Sequence, residues 1–119
     1  MKALQVGIMS REEFQERTLK IARGEIKPPK NAPKIWFSSI KSLCEVLSDN
    51  NMRLLKVIDE KHPESIKELA ELTNRKQSNL SRTLKTMARY GIIELKKKGK
   101  HCIPIAKALD FNITYSAVS

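Results

Sequence analysis

The sequence predicts a mainly α-helical fold with a small β component. Three observations predict it. Apolar residues recur at helical spacing in four consecutive segments between Ser38 and Tyr90. After Gly91 the spacing changes to a period of two, which belongs to strands. The basic side chains crowd into the last helix and the strands that follow it, so the fold ends in a charged surface and not in more core.

In chain order, Lys2–Met9 alternates, with Leu4, Val6 and Ile8 on one face, and predicts a short strand. Ser10 opens a helix. Ser10 and Glu13 form the S-x-x-E capping box, in which each side chain satisfies the other residue's free backbone N–H. Phe14, Ile21 and Ala22 give this helix an apolar stripe, and Gly24 stops it. Glu25–Lys34 holds Pro28, Pro29 and Pro33 among lysines and is expected to be a stiffened linker. Residues 1–34 form an arm too small to fold alone. It is expected to dock on this chain, on a second copy in a dimer, or on another protein.

The main domain is expected over residues 35–105. Ser38–Leu47 predicts a helix with Ile40, Leu43, Cys44 and Leu47 inward; Asn51–Lys61 predicts a second, with Leu54, Leu55 and Ile58 inward. His62-Pro63 ends that helix, and Ser65 with Glu68 forms another capping box, opening a short helix with Ile66, Leu69, Ala70 and Leu72. Thr73-Asn74 is a turn, because asparagine tolerates the left-handed backbone that glycine usually supplies. Gln77–Tyr90 is the next helix, ended by Gly91. Ile92–Leu95 and His101–Ile105 predict two strands joined by a charged turn over Lys96–Lys100. In the final segment, residues 106–119, Leu109, Phe111, Ile113 and Tyr115 alternate. They predict a further strand, which would pair with Lys2–Met9 or complete a sheet between subunits.

Composition removes several function classes. The chain has 119 residues, 40% of them hydrophobic, enough for one core. Its apolar runs are too short to cross a bilayer, and Met1–Ser10 lacks the pattern of a signal peptide, so the expectation is a cytoplasmic protein with no membrane partner. In such a compartment Cys44 and Cys102 are ordinary thiols, and Cys44 is expected in the core beside Leu43, Val46 and Leu47. Neither they nor His62 and His101 have metal-ligand spacing, so no metal and no cofactor are expected. There is no Ser/His/acid set, Gly-rich phosphate loop or carboxylate pair, hence no catalytic residue is assigned and no enzyme is expected. The few aromatics (Phe14, Trp36, Phe37, Tyr90, Phe111 and Tyr115) are not interleaved with a basic patch, which disfavours stacking on RNA bases.

Charge points elsewhere. The formal net charge is +10. Glu45–Leu72 carries four basic against seven acidic side chains, whereas Arg75–His101 carries nine against Glu94 alone. A one-signed segment of this kind is the footprint of a polyanion site. Its element order is short helix, turn, longer helix, basic hairpin, which is that of a winged helix-turn-helix whose second helix lies in the DNA major groove. At about 100° per residue, Leu80, Leu84, Met87 and Ala88 of the longer helix share one stripe, and Ser78, Arg82, Lys85 and Arg89 lie opposite. Ser78, Asn79, Arg82 and Gln77 suit base edges, since arginine can clamp guanine and asparagine or glutamine adenine with paired hydrogen bonds. Ser81, Lys85 and Arg75 suit phosphates, with Lys76 and Thr86 beside them. Lys97, Lys98, Lys100 and His101 in the hairpin suit the DNA backbone or minor groove.

Ile66–Leu95, with Glu68-Leu69-Ala70, Ser78-Asn79-Leu80-Ser81-Arg82, Leu84-Lys85 and Tyr90-Gly91-Ile92-Ile93, resembles the MarR/ArsR-type winged-helix regulators. The wider pattern adds the N-terminal strand, the helix opened by Ser10, the proline linker and Trp36 through Asp49. It resembles small prokaryotic transcriptional regulators encoded beside a toxin and read as antitoxins. The resemblance implies a repressor that binds palindromic double-stranded DNA as a homodimer, controls its own operon and has a cognate toxin as a second partner. Lys76 stands where a serine or threonine cap is usual, and Asn74 where glycine is usual. Two alternatives follow: a protein-interaction module that neutralises a toxin, with DNA binding secondary, or a stand-alone regulator responding to a ligand at its core or dimer interface.

Overall fold

The computed structural model describes residues 2–28, 30 and 32–117. It contains β1 (Leu4–Ile8), α1 (Arg11–Ala22), β2 (Ile35–Phe37), α2 (Ile40–Val46), α3 (Asp49–Lys61), α4 (Ile66–Thr73), α5 (Gln77–Arg89), β3 (Ile93–Lys98), β4 (His101–Ala106) and β5 (Phe111–Thr114). With five strands beside five helices this is an α plus β fold, richer in strand than the sequence pattern suggests. No described helix is long and apolar enough to cross a membrane. The chain forms two compact units. One comprises Ala3–Glu45 with Asp110–Ser119; the other is centred on Val46–Leu109. Ile35–Phe37, expected at the start of the main domain, is a strand paired to β1 within the first unit.

The first unit is built on a three-stranded sheet in the order β2-β1-β5, with both pairings parallel. Val6 lies opposite Ile35 on one side and Ile113 on the other, Ile8 opposite Phe37, and Leu4 opposite Phe111. Partners across a ladder share a face, so these residues make one apolar face, in which Val6, Ile35 and Phe37 are buried. Gly7 and Trp36 are partners on the opposite face. A Cβ at Gly7 would lie 2.4 Å from the Trp36 ring and 3.0 Å from Pro33, so only glycine lets the indole rest on the strand. Phe14 of α1 meets that ring at a centroid distance of 5.9 Å, and the Arg17 guanidinium sits 5.1 Å from its centre.

Ser10 caps α1, accepting the Glu13 N–H at 3.2 Å. None of the α1 side chains is fully buried, and the expected apolar stripe leaves Phe14 and Ala22 exposed. At α2, Ser39 and Ser42 exchange backbone-to-hydroxyl bonds. The helix turns Leu43 and Val46 inward and leaves Ile40 and Cys44 exposed, correcting their expected place in the core. Residues 43 and 46 are one turn apart; residues 40 and 44 fall on the flank of that stripe.

In the second unit Ser48 caps α3, which buries Leu54, Leu55 and Ile58 and ends at His62 in the left-handed conformation (φ 47°). Ser65 caps α4 by accepting the Glu68 N–H at 3.0 Å. The Glu68 carboxylate accepts the N–H of Glu64, one residue before the cap. Leu69 and Ala70 are buried; Leu72, expected inward, is exposed. Asn74 is left-handed (φ 55°), which lets its N–H reach the Glu71 carbonyl and the Arg75 N–H that of Ala70. Leu80, Leu84 and Met87 of α5 are fully buried. At Gly91 (φ 79°) the Gly91 N–H bonds the Ala88 carbonyl and the Ile92 N–H that of Met87. This closes the helix and launches the hairpin. β3 and β4 pair antiparallel, from Ile93 with Ala106 out to Lys98 with His101. Only Gly99 and Lys100 remain in the turn, so Lys96–Lys98, expected there, belong to strand β3.

Gly7→Ala forces the Trp36 ring off its seat. It is expected to cost about 1–3 kcal/mol, as overpacking does. Urea unfolding followed by the fluorescence of Trp36, the only tryptophan of the chain, measures the loss and reports the displaced ring through a shifted native spectrum.

Candidate nucleic-acid interface

Helices α4 and α5 are separated by Asn74, Arg75 and Lys76 alone. The buried stripe of Leu80, Leu84 and Met87 fixes which side of α5 meets the core, and so which side meets solvent. On the solvent side Gln77, Ser78, Asn79, Arg82, Lys85 and Arg89 are exposed, while Ser81 and Thr86 are half-buried at its edges. No residue of α5 is acidic. The other long helices differ. α1, α3 and α4 each begin with a serine cap and have a carboxylate in the first turn. α5 begins at Lys76 with no side-chain cap and no acid in its first turn. Its first N–H groups keep their capacity for an outside acceptor, and the positive end of the helix dipole is reinforced by Lys76 in place of being offset.

Two assigned residues, Arg75 and Thr86, have internal commitments. Arg75 is half-buried, and its guanidinium donates to the Asn50 carbonyl at 2.9 Å, joining the turn to the start of α3. It positions α5 as much as it offers charge. No sequence signal marks Asn50, because the contact uses its backbone. The Asn50 side chain in turn accepts from Arg53. The Thr86 hydroxyl donates to the Arg82 carbonyl at 3.1 Å and accepts from Arg89, so Thr86 is less available than a free hydroxyl.

In the hairpin Lys97 pairs with Cys102 and Lys98 with His101, so their side chains leave opposite faces. Lys98 and His101 line a cavity of about 430 Å³ with Glu64, Ser65 and Glu68. Two carboxylates share that cleft, which makes Lys98 and His101 the least suited of the basic set to hold a phosphate. Lys97 and Lys100 do not line it, and both are exposed. Among the described residues no three His, Cys, Asp or Glu side chains are placed to hold a metal ion.

The profile of the HVO_A0114 family matches residues 46–113. That is more than half of the chain, from the start of the Val46–Leu109 segment into β5. The chain belongs to the HVO_A0114 family. A comparison with curated proteins gives no match. The HVO_A0114 region thus contains α3, α4, α5 and the hairpin whole, together with every residue of the candidate interface.

Lys76→Ser supplies the missing cap of α5. The variant is expected to gain about 0.5–2 kcal/mol in thermal or urea unfolding. An unchanged midpoint would show that the start of α5 is already satisfied.

Proposed function

We propose that the chain is a sequence-specific double-stranded DNA-binding regulator of transcription, a repressor acting in the cytoplasm as a two-fold dimer. In this reading α4 and α5 form a helix-turn-helix, β3–β4 is its wing, and the unit is a winged helix. The observation that carries it is the α5 surface: an exposed face of Ser78, Asn79, Arg82 and Lys85 without a carboxylate, held opposite a fully buried stripe. A solvated helix ordinarily mixes signs, and α3 and α4 do. Phosphate repulsion accounts for the missing acids of α5. Ser78, Asn79 and Arg82 near its start read base edges, Gln77 assists, and Ser81 and Lys85 hold phosphates. Lys97 and Lys100 hold the backbone beside them.

A second reading gives the first unit a protein partner, such as a toxin encoded beside the gene. It is favoured by α1, which has no fully buried residue and leaves Leu19 53% exposed. Removing residues 1–34 would take away the central strand β1, so Leu19→Glu is the cleaner probe of that partner.

Selection from randomised duplexes followed by mobility shifts tests the DNA reading. Arg82→Ala is expected to remove the preference for the selected site. Lys97→Ala is expected to weaken all duplexes alike and to lower the slope of log affinity against log salt by about 1. Equal affinity of the unaltered protein for every duplex would overturn sequence specificity.

A further inference from the structure

Among the described residues, strand β5 lies at the edge of its sheet and is paired to β1 on one side only. Edge strands are ordinarily protected from other strands by charge, proline, bulges or shortness. β5 has no such device beyond a modest length. From Phe111 to Ser119 the sequence contains no charged residue, no proline and no glycine. This is its longest uncharged stretch, in a chain where 30% of residues are charged. Ile113 is 48% and Tyr115 61% exposed.

The register determines which backbone groups are open. Leu4, opposite Phe111, donates its N–H to the Asp110 carbonyl at 2.9 Å. In a parallel ladder a residue bonds to the two neighbours of its partner. Asp110, Asn112 and Thr114 therefore turn their backbone groups toward β1, and Phe111, Ile113 and Tyr115 turn theirs outward. The outward residues carry the apolar side chains of one sheet face. Two copies of a chain with net charge +10 repel overall, and an uncharged edge lets them meet without adding to that repulsion.

We infer that β5 is the homodimer interface, pairing antiparallel with β5 of a second copy across a two-fold axis through Ile113. This register gives the greatest overlap of the open groups: Ile113 faces its own mate, and Phe111 faces Tyr115 of the other copy. The two three-stranded sheets become one six-stranded sheet with a continuous apolar face. The inference rests on the dimer in the proposed function and specifies how it is made.

Sedimentation equilibrium without DNA tests it. The unaltered protein is expected to sediment as a dimer and Ile113→Lys as a monomer, with circular dichroism confirming that the variant is folded. In a Cys44→Ser, Cys102→Ser background, Ile113→Cys is expected to oxidise to a covalent dimer, since facing residues of an antiparallel pair lie about 5.5 Å apart between Cα atoms, within disulfide reach. Asn112→Cys, which faces Thr114 of the other copy, is expected to stay uncrosslinked. A monomeric unaltered protein overturns the inference. So does a dimer that survives Ile113→Lys while the Ile113→Cys variant gives no covalent dimer. Because DNA is absent, these results are distinct from failure of the DNA-binding reading, which the mobility shifts decide.

Discussion

The turn at Gly91 is the constraint on which the second unit depends. α5 presents its polar face only because Leu80, Leu84 and Met87 are held in the core, and only Tyr90, Gly91 and Ile92 separate that helix from the hairpin. A left-handed residue at position 91 lets the chain reverse while both freed N–H groups find carbonyls of the last helical turn. Met87 and Ile92, at the two ends of the second of those bonds, are both fully buried, so the turn is fastened from inside. The Lys107 N–H bonds the Ile92 carbonyl and closes the base of the hairpin on the same point. The direction of α5 and the root of β3–β4 are thus set by one short piece of backbone.

Charge follows this framework. Serines cap α1, α3 and α4 and carboxylates occupy their first turns, the arrangement that offsets a helix dipole. α5 departs on every count at once. An uncapped, cationic helix start is locally unfavourable, and such exceptions collect where a surface serves something other than stability. The Arg75 bond to Asn50 shows the opposite use of a basic side chain, to hold two helices in place.

Much of this was legible in the sequence. The caps at Ser10 and Ser65, the left-handed Asn74, the α5 stripe and the strand near Phe111 all follow from local chemistry or long periodicity. What was hidden depended on distant partners. β2 is three residues long, too short for a period, and exists because β1 lies beside it. Trp36 gives no sign that Gly7 is its seat. The lysines at 96–98 read as a turn because charge does not distinguish a turn from an exposed strand; only the pairing with residues 101–103 does. Cys44 reads as core because Ile40, Leu43, Cys44 and Leu47 fit an i, i+3, i+4, i+7 stripe, whereas the helix buries Leu43 and Val46. In the candidate site, residue identity marked the α5 face, whereas the commitments of Arg75 and Thr86 required geometry.

The pairing of β1 with β5 has a consequence for how the chain acquires its shape. Leu4 and Phe111 are neighbours in space but more than a hundred residues apart in sequence, and Val46–Leu109 lies between them in the chain. Contacts of such long range are slow to form, because the entropy of closing the loop is lost before any pairing compensates it. Folding of Val46–Leu109 replaces that loop by a compact body and lowers the cost. The topology therefore leads one to expect that the unit with the candidate DNA surface matures first and that the sheet joining the early and late segments is completed last.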